Sequence, residues 1–240
     1  MKKTIISGES NMSQNSVALV GMTTPSATTG CNTAEELVAY TARVSNPTNQ
    51  NNKKTAHKLL KYLIKEEHWS PFEMVNITME IKTTRDIARQ ILRHRSLSFQ
   101  EFSQRYAEPE DEGYQFRKAR LQDHKNRQNS ITINDPKLQA EWNAQQELVH
   151  IQSKEAYRWA INNGIAKEQA RAVLPEGIIE TTLYMSGTLR SWIHYCQLRM
   201  GHGTQQEHIC VACNCWTVLK THFPNVVKAV DEINGSTDTE

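Results

Sequence analysis

A mixed α/β (α+β) fold, one domain with a central sheet flanked by helices, is predicted by three features of the sequence. Residues 72–82 alternate strictly, with Val75, Ile77, Met79 and Ile81 on one face and Asn76, Thr78, Glu80 and Lys82 on the other, the period of a half-buried strand. Apolar residues on either side recur at helical spacing: Leu59, Leu60, Leu63 and Ile64 before it, Ile87, Ala88, Ile91 and Leu92 after it. Strand-like and helix-like segments then interleave along 240 residues, a length suited to one large core, with no repeat and no dividing linker.

The elements follow in order. Residues 16–20 read as a short buried strand ending at Gly21. Thr33 with Glu36 three residues on is a capping box opening a helix to about Val44. Asn46-Pro47 starts a polar loop, and a helix follows over 53–66. After the alternating strand, Thr83 or Thr84 caps a helix reaching residue 95, with Asp86 near its positive end. From Ser96 to Pro136 periodicity fails, and a loop that long inside a compact domain is commonly functional. Asp135-Pro136 starts a long helix ending near Gly164. A short helix over 167–173, a strand from Ile178 to Met185, and helices over about 188–199 and 205–222 complete the series. Residues 1–15 and 234–240 are expected to be flexible termini.

Composition excludes several classes. The 28 basic and 26 acidic residues leave a net charge of +2, against a dedicated nucleic-acid binder. No window approaches 18 consecutive apolar residues, so no membrane span is expected, and the start lacks the apolar stretch of a signal peptide. Five cysteines, an odd and clustered set, fit a reducing compartment, so a cytoplasmic location is expected.

The distribution of arginines is more telling than their number. Arg85, Arg89 and Arg93 fall at i, i+4 and i+8, a cationic stripe whose repulsion something anionic should offset unless solvent screens it. Arg93-His94-Arg95 closes the stripe, and Glu101, Ser103 and Arg105 follow within fourteen residues of Arg93, a concentration of phosphate donors with a carboxylate and an imidazole.

Arg93-His94-Arg95, seven residues and then Ser103 resembles the R-H-R-x7-S signature of the flavin-dependent thymidylate synthases. Further blocks resemble the same family in order from about residue 38 to 210: Ala42-Arg43-Val44-Ser45, His68-Trp69-Ser70-Pro71-Phe72-Glu73, Ala88-Arg89-Gln90, Ser103-Gln104-Arg105-Tyr106, Lys125-Asn126-Arg127-Gln128, Ala170-Arg171, Leu189-Arg190-Ser191, Leu198-Arg199 and Gln205-Gln206-Glu207. The resemblance implies reductive methylation of dUMP to dTMP, with FAD as cofactor and NADPH and methylenetetrahydrofolate as co-substrates. It implies a flavin pocket of Ser45, His68, Ser70, Arg93, His94, Arg95, Glu101, Arg190, His194 and Leu198. It implies that Gln90, Arg93, Ser103, Gln104 and Arg105 hold dUMP, that Arg171 reaches in from another subunit of a homotetramer, and that Arg199 is catalytic, favouring ionisation of the uracil ring. No covalent nucleophile is implied, in keeping with cysteines that lack a Pro-Cys-His-Gln context. Thr188, His194, Thr204 and His208 depart from residues frequent in the family.

Two features keep alternatives open. Cys210, Cys213 and Cys215 with His202 and His208 read as a core or interface helix, with Ile209, Ala212, Cys213 and Trp216 on its apolar face, rather than as a metal site, and no metal is expected. Residues 107–130 read as a solvated loop or as a lid over a co-substrate. The chief rival to the enzyme is a nucleic-acid module using the arginine stripe, and a third possibility is a flavoprotein of the same fold acting on another pyrimidine nucleotide.

Overall fold

The computed structural model describes residues 15–108 and 113–237. In chain order the elements are β1 (Ser16–Met22), α1 (Ala34–Ala42), α2 (Ala56–Lys65), β2 (Asn76–Thr84), α3 (Arg85–Ile91), β3 (Ser98–Glu101), β4 (Arg120–Gln122), β5 (Ser130–Thr132), α4 (Pro136–Asn162), α5 (Lys167–Ala170), β6 (Glu180–Thr188), α6 (Leu189–Met200), α7 (Gln206–His222) and α8 (Pro224–Thr237). The sheet runs β1-β2-β6-β3 with every pairing antiparallel, and β4 and β5 form a separate hairpin.

The alternation in β2 sets the layers. Ile77, Met79 and Ile81 point inward with Leu183 and Met185 of β6, and α1, α2, α3, α6, α7 and α8 contribute to the same core. On the other face Thr78 meets Ser186 and Tyr184 donates to Glu80, so polar pairs cover it. A smaller apolar cluster joins Tyr157 and Ala160 of α4 to Ala170, Leu174 and Ile179. No helix among the described residues is long and apolar enough to cross a membrane.

Several boundaries differ from the sequence reading. Strand β1 passes Gly21 to Met22, because a register shift between Leu19 and Gly21 lets pairing resume. The β6 strand starts two residues later than Ile178 and runs to Thr188, where it turns directly into α6. The expected loop 96–136 contains β3, β4 and β5, too short to show a period. Helix α8 reaches Thr237 through Gly235, where a tail was expected, because Val226, Val227 and Val230 are buried in the core and its axis is set by that face. Residues 1–14 and 238–240 of the expected flexible ends lie outside the described residues, while Asn15 donates to the Glu207 carbonyl.

Caps fix where several helices begin and end. Thr33 Oγ1 accepts from the Glu36 N–H at 3.1 Å, and the Glu36 carboxylate accepts from the Asn32 N–H at 2.6 Å, one residue earlier than an ideal box. Asp135 accepts from the N–H groups of Lys137 and Leu138. Helices α2 and α4 end in the same motif, the His68 N–H reaching the Leu63 carbonyl and the Ile165 N–H reaching that of Ala160. The left-handed residue is Gly164 in one and Glu67, at φ 56°, in the other. Glu67→Gly is therefore expected to raise stability by about 0.5–1 kcal/mol, since an L side chain is strained there by more than glycine's added chain entropy. Urea unfolding checks it.

Candidate active site

The R-H-R segment begins where α3 stops. The helix ends at Ile91 rather than at residue 95, and the chain continues in turns closed by His94 N–H to Ile91 and Leu97 N–H to His94. Those turns bury Leu97 against β6, and a Cβ on Gly187 would lie 2.4 Å from Leu97 Cδ2. Gly187 thus admits the side chain that anchors the segment, and Arg93 and Arg95 are left exposed on either side of half-buried His94.

The arginine stripe resolves into two different roles. Arg85 is buried and lies 3.4 Å from Glu101, with Glu176 at 3.9 Å. Arg89 meets the same two carboxylates at 3.2 and 3.4 Å, and Thr181 donates to Glu101. The protein's own acids therefore offset the first two cations. Burial pulls the Arg85 guanidinium below its usual value, and the Glu101 charge opposes that shift. Among the described residues the side chains of Arg93 and Arg95 have no ion-pair or hydrogen-bond partner, whereas Arg85, Arg89, Arg105, Arg117, Arg120 and Arg190 each have a carboxylate.

Helix α6 runs beside this segment. Its exposed face carries Arg190, His194 and Leu198 at i, i+4 and i+8. Arg190 pairs with Glu73, and the His194 ring stands edge-on to Trp69 at 4.5 Å, so the 68–73 turn with His68 and Ser70 lies along one end of the strip. Ser45 is exposed just beyond α1, which packs on that turn. Thr188, a departure from the family pattern, is used as the α6 cap, accepting from the Ser191 N–H. At the other end Arg199 donates from Nε to His94 Nε2 at 2.8 Å. That bond requires a neutral His94 protonated on Nδ1.

Burial, with Arg199 adding to it, pushes His94 down to about 4. His208 is pushed down to about 3 by burial, then by Arg199 and His94. A folded state that refuses protons which the unfolded chain accepts loses stability on acidification. The contribution is complete above the ordinary imidazole value of 6.5 and disappears as pH falls toward 4 and then 3. Urea midpoints are expected to fall steadily from about pH 7 to about pH 4, and less steeply in His94→Gln.

The remaining site residues form a second group. Gln104 is buried, Ser103 half-buried, Arg105 lies 3.7 Å from Glu168, and Arg171 sits half-buried at the end of α5. No hydrogen bond or ion pair among the described residues joins Ser103, Gln104, Arg105 or Arg171 to Arg93, His94 or Arg199. Gln90, on α3, bonds to Gln205 and His208 at the start of α7.

Residues 107–130 carry anchors rather than a solvated loop throughout, though 109–112 lie outside the described residues. Arg117 is 2.7 Å from Asp86 and donates to Thr84 at 2.6 Å, and Thr84 in turn donates to Asp86 instead of capping α3. Arg117 and Arg120 both reach Glu207. Sequence reasoning quoted Glu207 only within a block and gave it no role. Its signal is Gln205, Glu207 and His208 crowded just before the apolar run Ile209-Cys210-Val211-Ala212-Cys213. Beside them an open cleft of about 460 Å³ is lined by Arg120, Arg127, Asn129, His202 and Gln205. On α7 the buried face is Val211, Ala212, Cys215 and Leu219, one step around from the expected one, and Cys213 is exposed, because α6 and β1 flank that side.

The family described as thymidylate synthase complementing protein matches residues 27–225, a span containing every residue of both groups. The chain belongs to that family. A probable flavin-dependent thymidylate synthase of Paramecium bursaria Chlorella virus 1 is 52% identical over 216 residues, 90% of this chain and 99% of the relative. A flavin-dependent thymidylate synthase of Synechocystis is 48% identical over 197 residues, 82% and 89% of the two chains. The crystal structure of a UMP/dUMP methylase, PolB from Streptomyces cacaoi, bound with 5-Br dUMP, matches with a TM-score of 0.78 over 91% of this chain and 95% of that one. Its 24% identity makes this a likeness of fold.

Proposed function

We propose that the chain is a flavin-dependent thymidylate synthase that converts dUMP to dTMP, with methylenetetrahydrofolate as one-carbon donor and FAD, reduced by NADPH, as hydride carrier. The observation that carries this reading is the Arg93-His94-Arg95 turn: two exposed arginines without carboxylates flank a neutral histidine already bonded to Arg199. Free guanidinium groups are a suitable donor set for the phosphates of a flavin dinucleotide and of dUMP. Arg93, His94, Arg95, Arg190, His194, Leu198, Ser45, His68, Ser70 and Glu101 are the residues we assign to FAD. When bound, the flavin supplies the hydride chemistry.

The chain's own residues orient and polarise. Arg199 uses Nε to hold His94, so both of its Nη groups remain for a ligand. A fixed cation beside uracil stabilises the negative charge that develops on the ring as C5 becomes nucleophilic. His94 stays neutral near pH 7, so it holds Arg199 without adding repulsion. No protein nucleophile is needed, and the thiols of Cys196 and Cys215 are buried and pushed up, opposite to activation.

The dUMP residues are Gln90, Arg93, Ser103, Gln104, Arg105, Arg171 and Arg199. Arg171, assigned through the family resemblance to the site of a neighbouring subunit, makes these sites shared between subunits of a homotetramer. Mixing Arg171→Ala subunits with Arg199→Ala subunits is then expected to restore activity that neither variant has alone; no recovery in verified mixed oligomers would exclude shared sites. The nucleic-acid reading loses its stripe, because Glu101 and Glu176 already occupy Arg85 and Arg89. The absorption spectrum tests the main reading. Yellow protein whose flavin bands bleach with NADPH supports it, and colourless protein that takes up no added FAD refutes it.

A further inference from the structure

A chain of hydrogen bonds runs from the core through Gln90 to the cleft lined by Gln205. Tyr195 Oη lies 3.1 Å from His208 Nε2, and His208 Nδ1 lies 3.2 Å from Gln90 Oε1. Gln90 Nε2 donates to Gln205 Oε1 at 2.8 Å, and Gln205 Nε2 donates to Glu207 Oε2 at 3.0 Å. Glu207 is held by Arg120 at 2.8 Å and Arg117 at 3.4 Å. Tyr195 and His208 are fully buried.

The direction of every bond follows from the charged end. Two guanidinium groups keep Glu207 ionised, and burial, which acts the other way, does not prevail. An ionised carboxylate only accepts, so Gln205 must turn its NH2 toward it and its carbonyl toward Gln90. Gln90 must then give an N–H to Gln205 and present its carbonyl to His208. A carbonyl cannot donate, so His208 carries its proton on Nδ1, and Nε2 accepts from Tyr195. The imidazole stays neutral near pH 7, consistent with one N–H only. With the Gln90 amide flipped, its carbonyl would face the Gln205 carbonyl, acceptor against acceptor, in a half-buried place, a mismatch that a change of His208 tautomer cannot relieve.

We propose that Glu207 and His208 are positioning residues which hold the Gln90 carboxamide in one of its two orientations, so that its second N–H is kept for an acceptor oxygen of the nucleotide. This rests on the assignment of Gln90 to dUMP. The sense of the amide is set about two side chains away, by the arginine pair on Glu207, and read out at His208.

Two substitutions separate the ring nitrogens. In His208→Asn an amide nitrogen can stand where Nδ1 stood, and in His208→Gln where Nε2 stood. His208→Gln and His208→Leu are expected to raise KM for dUMP by about five- to tenfold with kcat little changed, the size of one lost oriented hydrogen bond. His208→Asn is expected to stay within about twofold of the parent, rescue by the variant that keeps the relevant donor. A parent-like KM in His208→Gln overturns the proposal. Nitrogen-15 NMR of histidine-labelled protein, with the signal assigned by its loss in His208→Asn, gives a readout independent of the substrate. A neutral His208 protonated on Nδ1 is the expected result. Protonation on Nε2 overturns the chain even if dUMP is the substrate, whereas an Nδ1 proton in protein inactive on dUMP would refute the substrate assignment alone.

Discussion

Arg199→Ala is expected to lower kcat/KM for dUMP by about 10²–10³-fold, the cost typical of removing one fixed donor from a developing anion. The side chain is half-buried at the end of α6 and is tied to His94 through a single nitrogen, which leaves the rest of the guanidinium for the substrate. Arg199→Lys is expected to recover little of the loss. An ammonium can reach His94 or the uracil ring, but it lacks the planar fork that serves both at once. The substitution also has a signature away from catalysis. Arg199 is the second cause, after burial, of the low His94 value, so in Arg199→Ala the imidazole titrates above about 4. An NMR titration of His94 reads that shift without substrate. Steady-state kinetics with near-normal turnover would show that the cation lies off the reacting ring.

Glu101→Ala is expected to have the largest effect on stability, a loss of about 3–5 kcal/mol in urea unfolding. Arg85 is only 6% exposed and Glu101 13%, so deleting the carboxylate strands a buried guanidinium that Glu176, at 3.9 Å, cannot adequately satisfy. Glu176→Ala is the control. Its side chain is 52% exposed, and screened pairs of that kind are worth about 0–1 kcal/mol. Equal losses in the two variants would mean that solvent reaches Arg85. Because Glu101 also holds Arg89 and Thr181, the variant is expected to loosen the junction of α3, β3 and β6, from which the R-H-R turn emerges.

Much of this architecture is legible in the residues themselves. The alternation at 75–81, the Thr33 and Glu36 pair and Asp135-Pro136 each mark an element, because burial and capping leave local patterns. The antiparallel sense of the sheet leaves no such mark, since register between β2 and β6 joins residues about a hundred positions apart. The sequence reading stops at the helix ending near residue 222, although Val226, Val227, Ala229, Val230 and Ile233 recur at helical spacing, and the Gly-Ser-Thr run at 235–237 hides how far α8 reaches. The arginine stripe signals that something anionic should answer it but not what, since the acids that meet Arg85 and Arg89 come from β3 and from the segment before β6. Motif resemblance names Gln90, His94 and Arg199 as candidates, while the contacts that tie Arg199 to His94 and Gln90 to His208 and Gln205 emerge only once α3, α6 and α7 are packed together.

The central claim is that the R-H-R turn and Arg199 make uracil C5 reactive on a bound flavin. Release of tritium from [5-³H]dUMP, measured with FAD, NADPH and methylenetetrahydrofolate, addresses it most directly. The account requires label in water that appears in step with dTMP, vanishes without the folate and is nearly abolished in Arg199→Ala. Parent protein that binds FAD and dUMP yet leaves the label in place would contradict it.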